Sequence, residues 1–337
     1  MTTAPEDATE ARTLRESVPP VREWAKTYVI GIVMGSADAV PGVSGGTIAL
    51  IAGVYERLIA AITAVTPGRF VTGVRALTPL DGGISVSRAL DPWETVDGWF
   101  LVALLAGVGT AVVVVTRAVE YLDEHAPVVL FGFFFGLIAA SAVVLLRAIS
   151  ISRLDSGAAA VAGFVVAFVV SGFGELLAGG GLVVVFAAGA LAVSAMILPG
   201  ISGSLILVIL SQYTRMTESL KGFLDGLVGL VTGDAGAAFA THAREVVVFV
   251  LGGLVGLFTV ARVIKRALAA NREATFAFLV ALVVGALRAP VATLNGPDYD
   301  VVWTTPTLAT FAGLAVAGAV VVLALDWYAV DLDLDGV

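Results

Sequence analysis

The chain has 337 residues, of which 58% are hydrophobic and 14% are charged, and its mean hydropathy is +0.99. This composition excludes a soluble globular domain, because no soluble domain of this length needs so much apolar residue. The net charge of −8 argues against nucleic-acid binding, and the lack of cysteine excludes disulfides and thiolate chemistry. Long apolar runs that do not alternate predict an all-α polytopic membrane protein.

The two ends of the chain are polar. Residues 1–26 lack the apolar core of a signal peptide and predict a cytoplasmic arm, and residues 331–337 form an acidic tail. Lysine is rare, with only Lys26, Lys221 and Lys265. An acidic, lysine-poor surface suits a halophilic archaeon, and a GC-rich genome with a few acidic loops explains it equally well.

The first half of the membrane region, residues 27–177, begins with two short apolar stretches around an interruption. These stretches, 27–37 and 47–65, are too short to cross a bilayer comfortably, because a crossing needs roughly 20 residues. A polar segment over 67–97 is predicted to lie on the membrane surface. Long apolar segments follow at 98–119, 127–148 and 157–177.

The second half, residues 178–330, repeats this order. An apolar stretch at 182–198 enters a second interruption, and another at 205–213 leaves it. A weakly amphipathic segment follows at 217–241. Long apolar segments at 245–264, 274–290 and 307–330 close the chain. Each half therefore predicts a broken, re-entrant helical hairpin and three transmembrane helices. Because three is odd, the second half enters from the opposite face of the membrane, and the halves form an inverted repeat.

The basic residues set the expected orientation. With the N-terminus inside, most Lys and Arg fall on the cytoplasmic side, as the positive-inside rule requires. The tightest basic group lies between two long segments of the second half and consists of Arg262, Lys265, Arg266 and Arg272. The chain is thus predicted to be a multi-pass protein of the cytoplasmic membrane with both termini in the cytoplasm.

One short motif occurs at both interruptions. The run PGVSGG at 41–46 returns 158 residues later as PGISGS at 199–204, and the same spacing relates Tyr55 to Tyr213. Proline lacks an N–H and glycine lacks side-chain restraint, so the predicted helix breaks are Pro41, Gly42, Pro199 and Gly200. Paired breaks in the two halves of a membrane protein point to a transporter binding site.

Each break exposes the first backbone N–H groups of the half-helix that follows it. Small side chains leave these groups bare, the helix dipole adds partial positive charge, and a serine at the N-cap can donate to a ligand oxygen. The pattern predicts a site for a carboxylate, phosphate or halide, and the alternative is a pair of kinks between closely packed helices. The predicted anion-binding residues are Ser44, Gly45, Gly46, Thr47, Ser202, Gly203, Ser204 and Arg288.

Asp38 lies three residues before the first break, and its counterpart in the second repeat is Met196. A carboxylate inside a membrane segment is costly and usually functional. Asp38 can take a proton or a cation to couple transport, or it can cap the break and orient its backbone. Arg288 suits a phosphate because its guanidinium is planar and always charged. Arg147 ends the corresponding helix of the first half, where an interfacial anchor explains it as well.

These segments resemble a known family. The run GSADAVPGVSGGTIA at 35–49, followed by GVYERLI at 53–59, is similar to the PopT-type polyprenyl-phosphate translocases, as are LPGISGS at 198–204 and GALR at 285–288. The resemblance implies a flippase that returns a lipid carrier from the outer to the inner leaflet after a sugar has been delivered outside. The implied carrier is undecaprenyl phosphate, or dolichyl phosphate in an archaeon, and the implied role is cell-surface glycan assembly.

Other classes of function use the same residues. An ion-coupled small-anion transporter or channel would bind its anion at the same breaks. An enzyme acting on lipid phosphates is disfavoured, because His125 and His242 lie outside the apolar runs and no neighbouring base would activate Ser44. No metal or cofactor is expected. The expected partners are the polyprenyl-phosphate lipid, the bilayer, and a proton or sodium ion for coupling.

Overall fold

The computed structural model describes residues 18–64, 93–147, 153–173, 177, 179–196, 202–233, 236 and 238–334. Within these ranges the regular elements are helices, and the predicted all-α polytopic class is confirmed. Pro199, Gly200, residues 1–17 of the predicted arm and most of the predicted surface segment lie outside the described residues.

The helices follow the order expected of two halves. The first half contains α1 (Val21–Ala39), α2 (Gly45–Ile51), α3 (Tyr55–Ala64), α4 (Gly98–His125), α5 (Pro127–Arg147) and α6 (Leu154–Val170). The second half contains α7 (Gly181–Ala195), α8 (Gly203–Ile209), α9 (Tyr213–Thr232), α10 (Phe239–Ala270), α11 (Arg272–Gly285), α12 (Arg288–Leu294) and α13 (Thr305–Leu334). Helix α1 begins inside the segment predicted to be a polar arm.

Six helical segments of the described chain are long and apolar enough to cross a bilayer. They coincide with the six long segments predicted from the sequence, and are Gly98–His125, Pro127–Arg147, Leu154–Phe173, Phe239–Ala270, Arg272–Leu294 and Thr305–Tyr328. Runs rich in Ala, Val, Leu, Phe and Gly define these spans, because a helix in lipid satisfies its own backbone while its side chains contact the acyl chains.

The stretch after the first break differs from the prediction. The segment 47–65 was expected as one apolar stretch, but α2 has seven residues and the chain bends by 119° before α3. Gly53 at the bend has a φ of 67°, and Ser211, at the equivalent place between α8 and α9, has a φ of 53°. A left-handed residue ends a helix, so each hairpin contains a second break after the PGxSG run.

The first helix of each half packs closely on the first long helix of that half, α1 on α4 and α7 on α10. A Cβ atom at Gly31 would lie 2.2 Å from the Leu104 carbonyl oxygen, and one at Gly189 would lie 2.1 Å from the Phe249 carbonyl oxygen. Gly31 and Gly189 have the spacing of the two breaks, so the same glycine makes the same backbone contact in each half. Small residues of this kind let helices approach closely in lipid.

The second and third long helices of each half pack against helices of the other half. Helix α5 packs on α13, and α11 packs on α6, so the second long helix of each half contacts the third long helix of the other. A Cβ atom at Gly163 would lie 2.1 Å from the Phe278 carbonyl oxygen, and one at Gly318 would lie 2.3 Å from the Phe133 carbonyl oxygen. These two contacts correspond when the halves are interchanged, which is the packing expected of two related repeats.

Candidate functional site

The first break is an unwound segment between α1 and α2. Val40 is extended after the end of α1, Gly42 has a φ of 89°, and Ser44 is extended before Gly45 begins α2. Pro41 supplies no N–H to continue α1, and the left-handed conformation of Gly42 is one that side-chain-bearing residues rarely adopt. The predicted break at Pro41 and Gly42 is therefore the actual end of the helix.

Hydroxyl groups from other helices satisfy the carbonyls of this segment. Tyr213 Oη donates to the Ala39 carbonyl at 2.7 Å, and Ser204 Oγ donates to the Val40 carbonyl at 2.9 Å. Ser141 Oγ on α5 donates to the Gly42 carbonyl at 2.6 Å. An unpaired carbonyl in the bilayer core costs several kcal/mol, so these donors make the broken backbone tolerable.

Asp38 caps the first break. Its Oδ1 accepts a hydrogen bond from the Gly45 N–H at 2.6 Å, so the carboxylate is held at the start of α2. Of the two roles considered for Asp38, capping is the one that the geometry shows. A Cβ atom at Gly45 would lie only 2.3 Å from Asp38 Oδ2, so glycine is needed for the carboxylate to fit.

The second break places a thioether where the first has a carboxylate. Met196 is the counterpart of Asp38, and a Cβ atom at Gly203 would lie 3.1 Å from Met196 Sδ. Asp38 and Met196 thus approach the first residue of α2 and of α8 in the same way. Among the described side chains, no carboxylate bonds the N–H groups at the start of α8, whereas Asp38 bonds the Gly45 N–H at the start of α2.

The serines occupy the predicted N-cap positions without capping through their side chains. Ser44 and Ser202 are both extended residues that precede a helix, but neither side chain makes a cap hydrogen bond within the described chain. The Ser202 hydroxyl instead lies 2.6 Å from that of Ser204. The Thr47 N–H bonds the Ser44 carbonyl at 3.1 Å, so it is not bare as the sequence suggested.

The structure brings the two breaks together and holds the Arg288 side chain against Phe168. The bond from Ser204 to Val40 links the start of α8 to the end of α1. Arg288 Nη1 donates to the Phe168 carbonyl at 2.7 Å, and its guanidinium lies 4.4 Å from the centre of the Phe168 ring. These contacts fix Arg288 against the end of α6, and its predicted contact with a phosphate stays a prediction. Arg147 is exposed at the end of α5, as expected of an interfacial anchor.

Replacing Arg288 by alanine separates these two roles. If the guanidinium reaches the phosphate, binding of polyprenyl phosphate should weaken about tenfold, the usual loss for a hydrogen bond to a charged group. Equilibrium binding of the labelled lipid in detergent measures this, and Arg147→Ala is the matched control that should bind normally. Unchanged affinity together with a lower thermal midpoint would show that Arg288 only holds α6.

Arg57 and Arg215, one in each half, were not among the site residues predicted from the sequence. Arg57 on α3 binds Asp97 at 2.5 Å, and Arg215 on α9 binds Glu245 at 2.7 Å. Arg57 and Arg215 have the spacing of the two breaks, and each joins the end of a hairpin to the region where the next long helix begins. The signal was present in the sequence, because the spacing that relates Tyr55 to Tyr213 extends two residues further to these arginines.

Among the described residues, six helical segments that could span a membrane and two neighbouring helix breaks are typical of a polytopic membrane transporter. The chain belongs to the VCA0040-like, undecaprenyl phosphate translocase-like family, whose model matches residues 34–296. It is 31% identical over 265 residues to the polyprenyl-phosphate transporter of Vibrio cholerae serotype O1, which covers 78% of this chain and 76% of that protein. Comparison with solved structures gives no match. The resemblance found in the sequence is thus confirmed, and the matched range contains both breaks and Arg288.

Proposed function

We propose that this protein is a flippase that moves polyprenyl phosphate between the leaflets of the cytoplasmic membrane, with the lipid phosphate bound between the two breaks. The proposal rests on one observation: the two breaks lie next to each other, where the Ser204 hydroxyl donates to the Val40 carbonyl. The family and the name of the Vibrio relative support polyprenyl phosphate as the cargo. A transporter of this kind needs no catalytic group.

The two breaks offer the phosphate different surroundings. At the first break the Gly45 N–H is occupied by Asp38, whereas at the second break Met196 brings no charge to Gly203. A phosphate therefore gains most from the N–H groups of Gly203 and Ser204. The partly exposed Ser44 hydroxyl and the Gly46 N–H, for which the described residues hold no partner, complete the pocket from the first break.

The prenyl tail can stay in the bilayer while the phosphate crosses. Helices α10 and α13 present exposed apolar side chains, among them Phe258, Val316 and Val320. Movement of the two repeats against each other would expose the same phosphate site to each side in turn. The proposed orientation has both termini in the cytoplasm. The proposed net transport runs from the outer to the inner leaflet and recycles undecaprenyl phosphate, or dolichyl phosphate in an archaeon, for cell-surface glycan assembly.

Asp38 is the proposed coupling residue, through a proton or a sodium ion. In Asp38→Asn the side-chain oxygen still accepts from the Gly45 N–H, but the residue no longer carries a charge or takes a proton. We expect Asp38→Asn to keep normal stability and lipid binding while losing the stimulation of transport by a proton or sodium gradient. Asp38→Ala loses the cap as well, and its free energy of unfolding should fall by about 1 kcal/mol. Full gradient stimulation in Asp38→Asn would leave Asp38 as a cap only.

Reconstitution into vesicles tests the proposed function. A polyprenyl phosphate with a fluorophore that a membrane-impermeant reductant bleaches reports the lipid in the outer leaflet. The protein should speed leaflet exchange over protein-free vesicles and should leave an equally labelled neutral polyprenol unaffected. Exchange no faster than in empty vesicles, with and without proton or sodium gradients, would refute the proposal. Uptake of free inorganic phosphate without lipid exchange would establish the small-anion transporter instead.

A further inference from the structure

The second repeat holds the end of α1 through two buried hydroxyl groups. Tyr213 Oη donates to the Ala39 carbonyl at 2.7 Å and Ser204 Oγ donates to the Val40 carbonyl at 2.9 Å. Tyr213 and Ser204 are each 7% exposed, and the Ser202 hydroxyl, which lies 2.6 Å from that of Ser204, is 2% exposed. Both donors come from one half of the chain and both acceptors from the other, so these bonds join the two repeats at the breaks.

Within the described residues, the hydroxyls that could make the reverse connection are absent or exposed. The counterpart of Ser204 is Gly46, which has no hydroxyl, and the counterpart of Tyr213 is Tyr55, which is 39% exposed where Tyr213 is buried. An exact two-fold arrangement would place equivalent donors on both halves. The hydroxyls therefore serve the first break, where Asp38 and Gly45 lie, and the difference between the repeats provides matched positions for a test.

We propose that Ser204 and Tyr213 are positioning residues that form a hydroxyl latch, which holds the first break against the second repeat and limits how readily the repeats move apart. This inference rests on the proposed function in one respect, which is that the two repeats move against each other. In the latched arrangement the partly buried carbonyls of Ala39 and Val40 accept these hydroxyls, so a lost hydroxyl leaves one of them without its donor. An opened arrangement in which water reaches the carbonyls does not bear that cost, and its population should rise.

Distances between spin labels in the two repeats show whether the latch is closed, and the measurement needs no polyprenyl phosphate. The chain lacks cysteine, so cysteines at the exposed Val29 on α1 and Val183 on α7 carry nitroxides at two defined positions, one in each repeat. Pulsed electron resonance in nanodiscs should give one dominant distance for the wild-type protein. Tyr213→Phe and Ser204→Gly should each raise the population of a second distance about fivefold, as expected for the loss of one net hydrogen bond. Ser204→Thr keeps the hydroxyl and should restore the wild-type distribution.

Two further variants control for the loss of a hydroxyl as such. Tyr55→Phe changes the counterpart of Tyr213, and Tyr28→Phe removes a hydroxyl that bonds Thr110 at 2.9 Å within the first repeat. Both should keep the wild-type distances. Unchanged distances in Tyr213→Phe and Ser204→Gly would overturn the latch, and so would an equal shift in Tyr28→Phe. Distance shifts in the latch variants, together with no exchange of polyprenyl phosphate by the wild-type protein, would refute the proposed function and leave the latch standing.

Discussion

Replacing Gly45 by alanine should reduce lipid transport by about tenfold or more while the protein stays folded. The added Cβ atom would lie 2.3 Å from Asp38 Oδ2, so the carboxylate must swing away from the Gly45 N–H and the first break loses its cap. A short side chain can move at little cost to the fold, which is why the loss should appear in function. Leaflet exchange in vesicles and the thermal midpoint in detergent measure the two effects.

Gly46→Ala is the matched control for Gly45→Ala. A Cβ atom at Gly46 meets only the Ser44 hydroxyl, at an ordinary 3.5 Å, and alanine keeps the backbone N–H that is proposed to bind phosphate. The repeat itself places a side chain there, because Ser204 is the counterpart of Gly46. Gly46→Ala should therefore transport normally. Equal activity in Gly45→Ala and the wild type would show that the cap of Asp38 has no part in transport.

Replacing Gly107 by leucine should strongly destabilise the protein. A Cβ atom at Gly107 would lie 2.1 Å from the Tyr28 carbonyl oxygen, and a backbone atom on a packed helix cannot move aside. We expect the free energy of unfolding to fall by about 3 kcal/mol, at the upper end of the cost of overpacking. Unfolding by titration with a denaturing detergent measures this change.

Gly109 on the same helix provides the control. A Cβ atom at Gly109 would have no neighbour within 4 Å, so Gly109→Leu should change the free energy of unfolding by less than about 0.5 kcal/mol. The counterpart of Gly107 is Gly252, which lies against the Phe186 carbonyl, and Gly252→Leu should be as damaging as Gly107→Leu. Equal stability of Gly107→Leu and Gly109→Leu would contradict the close packing of α1 on α4.

The spans and the breaks could be predicted from the sequence for simple physical reasons. A bilayer demands about 20 apolar residues in a row for each crossing, and six such runs are visible in the chain. A Pro-Gly pair disfavours a continuing helix, so the end of α1 just before Pro41 was equally visible. The repeated PGxSG run then gave the correspondence between the halves, and the same spacing holds for Gly31 and Gly189.

The contacts that hold the site could not be predicted in this way. Tyr213 and Ala39 are separated by 174 residues, and only the packing of the two halves brings them together. The bend after α2 was missed because 47–65 was taken as one apolar stretch despite Glu56 and Arg57, whereas the left-handed conformation of Gly53 depends on the backbone. Arg288 was predicted from its charge and position, but its side chain is directed by the end of α6, which sequence reasoning did not place nearby.

Cysteine protection tests most directly whether the lipid phosphate lies between the breaks. Ser44→Cys introduces the sole thiol of the chain at the start of α2, where a charged methanethiosulfonate can reach a partly exposed residue. Polyprenyl phosphate should slow its modification about tenfold, whereas neutral polyprenol should not, and Val231→Cys, at a position 89% exposed on α9, should react at one rate throughout. Modification of Ser44→Cys at the same rate with and without saturating polyprenyl phosphate would contradict a phosphate site at the breaks.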